Sequence, residues 1–597
     1  MPSEVHSPPL PDVGRKSRTA PAQDGGHSLL MVIAALALAV IALVRIHSTY
    51  HVFSQTTDEP AHIATGMEWL QFGTYTFEPL HPPLARVAVA LGPYLTGLRL
   101  QDHRNLWVEG NELLQTRGRY LHNLALARLG ALPFFLLAAW VVWYWTRMRY
   151  GDAAALVATF LFTTSPVVLA HAGLATTDMA ATATFALALL AYINFVERPT
   201  YRRSVLVGAA AALAVLAKFS ALVFLPACGL TLLFARRLWD RQKQNDTQAG
   251  RASWGRAIAL SALVMFLVVW AGYRFSVSSA ADAAARPHYT IDQLVGTSGT
   301  LHNTAYAVAE YPFIPAPALL QGLAKLRFKE AAGHKSYLLG QVRQTGWWYF
   351  FPVALAVKST IPFLVLALIG AFYLGGSVRR EEGDWIAVAP VVAALTLLVV
   401  CMPSHINIGV RHILPIYPLL AIIGGVGACR LWAKPGHAGS AIVLLLLAWQ
   451  LISSIRAHPD YLAYFNQFAG AHPEKVLLDS DLDWGQDLLR LSAELQQRKG
   501  EQVSIAYAGS SQLDLSNFGL PAFQVLAPGQ SATGWIAISL LKLKVGGPGQ
   551  PDDGYSWLEA YQPVALVGRS IRLYYVPGSS QPGSQSSVQD EPAAKGN

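Results

Sequence analysis

Charge is what this chain of 597 residues has least of: Asp, Glu, Lys and Arg together make up 14%, where soluble domains carry roughly 25%. With 53% hydrophobic residues and a mean hydropathy of +0.33, that scarcity excludes an ordinary water-soluble domain and points to the bilayer. Cysteine is nearly absent too. The three that occur, Cys228, Cys401 and Cys429, fall in or beside apolar runs, with no C-x-x-C pair and no histidine at metal-ligand spacing. That excludes a disulfide framework and a zinc site. No single block of charge accounts for the formal net charge of +9. The basic residues sit in short clusters between apolar segments, so nucleic acid is not the expected partner.

What the chain has in quantity is long apolar sequence. Runs near the roughly 20 residues that cross a bilayer occur at 29–46, 121–145, 153–171, 178–196, 204–217, 219–235, 257–275, 347–376, 385–402, 412–429 and 439–455. They predict an α-helical polytopic membrane protein with about 11 transmembrane helices. With the N-terminus in the cytoplasm, the inner segments hold Arg15, Lys16 and Arg18, then Arg147 and Arg149, then Arg198, Arg202 and Arg203. Further along they hold Arg236, Arg237, Arg241, Lys243, Arg251 and Arg256, then Arg379 and Arg380, then Arg430 and Lys434. Positive-inside is satisfied at each of them. The first loop at 47–120, the loop at 276–346 and everything after 456 are then outside. The Pro-, Ser- and Gly-rich start, 1–27, reads as a disordered cytoplasmic tail. The first run is followed by VRIHSTYHVF, which lacks a small-residue cleavage signature, so it is an anchor.

The first outer loop opens with TTDEPAH at 56–62. Thr57 or Asp58 is placed to cap a helix, acids suit its first turn, and Pro60 is tolerated there. The same geometry fixes a carboxylate at the membrane edge, where desolvation raises a pKa toward that of a useful base. Asp58 and His62 are four apart and share a helical face. Further on, HIATGMEWLQFG has helical character, and PLHPPLARVAVALGPYL reads as a proline-started amphipathic helix along the interface.

The stretch DEPAHIATGMEWLQFGTYTFEPLHPPLA resembles the first external loop of polyprenyl-phosphate-dependent glycosyltransferases of the GT-C type, specifically the bacterial relatives of protein O-mannosyltransferases and aminoarabinose transferases. HAGLATTDMAATATFALALLAYINF at 171–195, LAKFSALVFLP at 216–226, GVRHILPIYPLL at 409–420, HPDYLAYFNQFAG at 458–470 and DSDLDWGQDLLRL at 479–491 are similar to later family segments, in order. The resemblance implies an enzyme that moves a sugar from a polyprenyl phosphate to an acceptor on the outer face of the cytoplasmic membrane, usually with inversion. The acceptor is a protein, lipid or glycan, and the need for a divalent cation stays open. It further implies a general base, for which Asp58 is the choice and Glu59 the alternative. Asp178, opening a membrane helix on the same face, binds acceptor or steadies the base, or else caps its helix. The substrate-binding candidates are His62, His81, Arg86, Lys218, Lys358, Arg411 and His412, with Arg343 a further cation. Lys218 and Lys358 interrupt apolar stretches, where an ionisable group is functional by default and snorkelling is the rival. Arg411 lies outside, against the positive-inside trend, which favours an anionic partner.

From 316, APALLQGLAKLRFKEAAGHKSYLLGQVRQTGWWYFFP combines helical apolar spacing with many cations, as an interfacial helix touching head groups would, and Trp347, Trp348 and Tyr349 mark the bilayer boundary. In DSDLDWGQD, Asp479, Asp481 and Asp483 alternate as in a calcium loop, but Trp484 stands where glycine is needed and Arg490 where the bidentate glutamate belongs, so a turn and helix are expected. After 500, VSIAYAG, FQVLA, GWIAISLL, PVALVG and SIRLYYV read as short strands. The expected organisation is a GT-C membrane domain at 28–456, a small α/β extracytoplasmic domain at 457–577 and a disordered tail at 578–597. The rival class, a transporter or flippase of a lipid-linked sugar, requires internal repeats and a midplane site; the sequence has no repeat.

Overall fold

Apolar length and proline punctuation decide the helical part. The computed structural model describes residues 25–101, 105–242, 251–279, 291–292, 295–311, 313–379, 385–546 and 553–578. Apart from 25–27 and 578, the two expected tails lie outside the described residues, as do Lys243 and Arg380. Helix α1 (Gly25–Ser48) enters the bundle. The first outer loop then folds into α2 (Glu59–Gln71), α3 (Pro83–Leu95) and α4 (Leu106–Gln115), and α5 (Tyr120–Leu129) leads from it into α6 (Leu132–Tyr150). These four loop helices have their own core, in which Ile63, Met67, Val89, Leu113, Leu114 and Leu124 are buried. Each such side chain contributes about 1.5–3 kcal/mol, enough to make the loop a folded body.

The bundle continues through α7 (Asp152–Thr163), α8 (Pro166–Ala172), α9 (Asp178–Glu197), α10 (Tyr201–Ala217), α11 (Ala221–Gln242) and α12 (Arg251–Gly272). The second outer segment carries α13 (Thr300–Glu310) and α14 (Pro317–Ala332), and the chain re-enters with α15 (Phe350–Lys358), α16 (Ile361–Arg379), α17 (Ala389–Cys401), α18 (Ile416–Trp432) and α19 (Ala438–Arg456). Helices α7 and α8 are bent by 64° and α15 and α16 by 115°. A proline in the first turn of the second member, Pro166 and Pro362, fits a break there, because it supplies no N–H to the preceding turn. Among the described residues, 6 helices are long and apolar enough to cross a membrane, or 8 with each bent pair as one span. Pro83–Leu95, Trp385–Cys401 and Ile416–Trp432 are apolar but shorter. The expected runs are thus helical, yet length and composition alone support fewer crossings than about 11, because two runs are broken and others are short.

Helix α9 is buried along most of its length, and its Ala and Thr residues let neighbours close in while Thr182 and Thr184 turn their hydroxyls back to Asp178 O and Ala180 O at 2.8 and 2.7 Å. The α16–α18 contact is closer still: a Cβ at Gly370 or Gly427 would overlap the carbonyl of Ile423 or Leu366, the small-residue packing usual between membrane helices.

After α19, a turn-rich stretch leads to α20 (Leu488–Gln497) and a mixed five-stranded sheet. Numbering the short outer-loop pairs β1 (Val277–Ser278) with β2 (Ile314–Pro315) and β3 (Ser336–Leu338) with β4 (Gln341–Arg343), the sheet consists of β5 (Gln502–Ala506), β6 (Ala522–Val525), β7 (Gly534–Ser539), β8 (Ala565–Val567) and β9 (Ile571–Val576). Its order is β6-β5-β7-β9-β8, with β5 parallel to β6 and β7 and β9 antiparallel to both its neighbours. Both faces are covered by apolar clusters, one of them including Leu488, Leu491 and Leu495 of α20. A short helix, α21 (Leu540–Val545), follows β7 and contributes Leu541, Lys542 and Val545 to the lining of a cavity shared with the bundle.

Candidate active site

The two acids of TTDEPAH part company at the start of α2. Asp58 is the residue before the helix, and its side chain makes no capping bond; Thr57 donates its hydroxyl to Trp484 O at 3.2 Å. The cap expected of either residue is absent because both side chains are used elsewhere. Glu59 ties the turn instead, accepting from Thr56 N at 2.7 Å. It also takes both arms of Arg128 at 2.8 and 2.9 Å and Ala175 N at 2.9 Å. Glu59 is 0% exposed and does not line the cavity. Consecutive helical positions lie about 100° apart, so one acid faces the core and the other faces out.

Asp58 faces a cavity of about 1220 Å³ lined by the loop at 47–120, the junction between the end of α10 and the start of α11, helix α14 and the segments after 400. Its Oδ2 accepts from Arg411 Nη1 at 2.6 Å. The same Nη1 lies 4.0 Å from Asp178 Oδ2, and Asp178 Oδ1 holds Lys218 Nζ at 2.6 Å. The result is an alternating row, Asp58, Arg411, Asp178, Lys218. Asp178 is buried behind the row, while Asp58, Arg411 and Lys218 reach the cavity wall. Burial acts to raise the Asp58 pKa, but the Arg411 charge and hydrogen bond outweigh it and hold the carboxyl below its usual value. The expected upward shift is therefore reversed by a partner 353 residues away. Arg411 Nε, buried, has no hydrogen-bond partner.

Arg86 is fully engaged. It donates to His62 Nδ1 at 3.1 Å, Tyr75 Oη at 3.2 Å and Glu78 Oε2 at 2.5 Å. His62, accepting at Nδ1, is the neutral imidazole, and burial with the Arg86 charge beside it pushes its pKa down to about 3. His81 packs edge-on against His62 at 5.2 Å. His81 and His412 line the cavity, and burial with nearby cations holds both neutral. Lys358 is elsewhere: its ammonium fills the α15–α16 corner, donating to Leu462 O and Asp481 O at 2.7 and 2.6 Å. Arg343 is exposed on β4, over the Trp347 ring. Neither lines the cavity.

The charged lining is Arg86, Lys218, Arg327, Lys329, Lys335, Arg411 and Lys542 against Asp58, Glu78, Glu330 and Asp479. This positive surplus suits an anion. Phe219, Val223, Phe224, Phe351 and Val400 add apolar lining. Among the described residues, no group of three or more His, Cys, Asp or Glu gathers as metal ligands would.

Sequence reasoning passed over the role of 479–487. Asp481 accepts from Val410 N at 3.0 Å, Asp483 from Leu541 N at 2.7 Å and Asp487 from Arg569 N at 3.0 Å. Trp484 lies under the Arg411 guanidinium, 4.2 Å from ring centroid to carbon. The signal was available: alternating acids that fail as a calcium loop, in an otherwise apolar chain, are acids engaged with backbone.

Residues 122–271 match the family described as dolichyl-phosphate-mannose-protein mannosyltransferase. No curated protein is similar enough in sequence to count as a match. Among solved structures, the Saccharomyces cerevisiae protein O-mannosyltransferase Pmt1–Pmt2 complex bound to the sugar donor is 10% identical, covering 72% of this chain and 90% of that one, with a TM-score of 0.51. ArnT from Cupriavidus metallidurans bound to undecaprenyl phosphate is 14% identical, covering 92% and 98%, with a TM-score of 0.42. The oligosaccharyltransferase AglB from Archaeoglobus fulgidus, in complex with an inhibitory peptide and a dolichol-phosphate, is 14% identical, covering 92% and 75%, with a TM-score of 0.45. At these identities the likeness to the yeast complex is one of fold, and it agrees with the GT-C resemblance of the sequence.

Proposed function

We propose that this chain, whose fold is that of the GT-C glycosyltransferases, moves a sugar from a polyprenyl-phosphate donor to an acceptor hydroxyl on the outer face of the membrane, with inversion. The observation that carries the reading is the row Asp58, Arg411, Asp178, Lys218, of which Asp58, Arg411 and Lys218 reach the wall of a cavity lined by both surplus cations and apolar side chains. The apolar lining suits the first isoprene units of the donor, and the cations suit its phosphate. In the reaction Asp58 takes the acceptor proton as the acceptor oxygen bonds to the anomeric carbon. The bond from that carbon to the phosphate oxygen breaks, and its electron pair leaves with the phosphate. Arg411 and Lys218 stabilise the departing charge.

A carboxylate held below its usual pKa is a weak base. The donor phosphate supplies the remedy, because it competes for Arg411, whose Nε is without a partner. Drawing Arg411 toward phosphate releases Asp58 and raises its basicity when the donor is in place. Asp178 holds both cations, and Glu59 positions the helix start through Arg128. His62, His81 and His412 bind substrate as neutral imidazoles. Residues 28–456 form the catalytic membrane domain in this reading, with 457–577 outside in a bacterial cell envelope.

The test is transfer from a panel of radiolabelled polyprenyl-phosphate sugars by protein in nanodiscs, with membrane extract as acceptor, comparing wild type, Asp58→Asn and Asp178→Asn. Transfer by wild type and its loss in Asp58→Asn supports the reading. Equal transfer by folded Asp58→Asn removes Asp58 from the chemistry, and no transfer by wild type from any donor removes the enzyme reading.

A further inference from the structure

The proposed chemistry needs Asp58 and Arg411 side by side at the cavity wall, yet neither is held by a long element of its own. Asp58 precedes α2, and Arg411 sits on the short turn Val410–Ile413. Both are gripped from outside the bundle by one stretch, 479–487. Toward the first outer loop, Trp484 O accepts from Thr57 N at 2.9 Å and Thr57 Oγ1 at 3.2 Å, and Gln486 O accepts from Ser54 N at 3.0 Å. Toward the Arg411 turn, Asp481 Oδ1 accepts from Val410 N at 3.0 Å, and Ser480 donates its hydroxyl to Ile408 O. A Cβ at Gly409, which has a φ of +151°, would collide with Ser480 Oγ. That position must stay bare for the turn to seat.

Trp484 takes part in both grips. Its carbonyl holds the residue before Asp58, and its ring carries the Arg411 guanidinium at 4.2 Å. It is 3% exposed and lines the cavity. On the far side the stretch is anchored at the ends of two sheet strands: Gly485 O accepts from Tyr507 Oη, just after β5, and Asp483 Oδ2 accepts from Leu541 N, in α21 after β7, at 2.7 Å.

We infer that Trp484 is a positioning residue for the transfer reaction, setting the placement of Asp58 and Arg411 together and joining the C-terminal sheet to the site. The part of this that concerns catalysis rests on the proposed function; the part that concerns positioning does not. An indole face suits the purpose because it holds a flat guanidinium by cation–π attraction without taking up its N–H donors. Arg411 keeps those donors for Asp58 and for an incoming anion.

The test uses the full chain in nanodiscs, with Trp484→Ala, Trp484→Phe and, as a control at the exposed residue that follows α20, Arg498→Gln. Hydrogen exchange is read at the amides of 54–59 and 408–413, and steady-state transfer is read with the polyprenyl-phosphate sugar that wild type turns over. In Trp484→Ala, exchange at both segments is expected to rise by about tenfold or more while β5 and β7 stay protected. The kcat is expected to fall on the order of 10²-fold, with the donor KM within about 3-fold of wild type. Trp484→Phe, which keeps a ring face, recovers most of both readouts, and Arg498→Gln changes neither. Unchanged exchange in Trp484→Ala, exchange raised equally across the sheet, or a Phe variant as impaired as Ala overturns the inference. If wild type transfers from no donor, the proposed function fails while the exchange readout still decides the positioning.

Discussion

Asp58 and Glu59 are adjacent, share a charge and do opposite work. Glu59 is saturated by Arg128, Ala175 N and Thr56 N with no exposure. Glu59→Gln breaks a buried ion pair and is expected to cost about 3–5 kcal/mol, seen as a fall of several degrees in thermal unfolding; an unshifted midpoint contradicts that placement. Asp58 is 28% exposed, and an asparagine oxygen still accepts from Arg411, so Asp58→Asn is expected to cost on the order of 1 kcal/mol. A second expectation concerns pH. Arg411 holds the Asp58 carboxyl below its ordinary value, so in the proposed reaction wild type is expected to show no Asp58-dependent acid limb of kcat/KM above about pH 5. Removing the charge in Arg411→Gln raises that pKa and moves the acid limb of kcat/KM upward; a downward move would contradict the pairing. The sequence showed the acid pair and the resemblance chose Asp58, but which acid faces the cavity was not legible. The deciding partners, Arg128 and Arg411, lie 69 and 353 residues away.

At the scale of elements, the stretch 479–487 is where the sequence was read least well. Its acids resembled a failed calcium loop because they alternate. They alternate because successive side chains turn to different partners, Asp481 to the Arg411 turn and Asp483 to α21. Burial raises the Asp481 carboxyl to about 6 and the Asp483 carboxyl to about 7. Between the unfolded value near 4 and those values the folded state therefore binds more protons than the unfolded chain. Stability falls as pH rises through that window and is greatest below it. The slope is on the order of 1 kcal/mol per pH unit, readable as a lowered midpoint of denaturant unfolding at pH 7 against pH 5. Asp483→Asn, with an amide oxygen for Leu541 N, is expected to flatten it; an unchanged slope contradicts the assignment. The strands after 500 were legible because alternation and Gly–Pro punctuation are local signals. The α15–α16 corner was not: Lys358 reads as an intramembrane cation, and only the fold reveals the Leu462 and Asp481 carbonyls that take it.

For the whole molecule, apolar runs gave the helices, while a run is blind to a 64° or 115° bend within it, so that among the described residues length and composition support 6 crossings, or 8 with each bent pair as one span. Cation placement gives an orientation that is directly testable. Gln497→Cys, exposed at the end of α20, is expected to react with an impermeant maleimide in intact cells, and Lys434→Cys, exposed between α18 and α19, only after permeabilisation. The reverse pattern inverts the topology. Native Cys228 and Cys401 are buried and Cys429 is half-buried, so background labelling is low. A transporter would also use broken helices, but the charged row here belongs to helix starts and turns beside one cavity, and the proposed reaction has a membrane-borne donor meet its acceptor there. The most direct measurement of that account is the single-turnover rate of sugar transfer by Asp58→Asn, with donor affinity determined on the same preparation. The account predicts donor binding within a few-fold of wild type and a rate lower by about 10²–10⁴-fold. Transfer at the wild-type rate by a folded, donor-bound Asp58→Asn would contradict it.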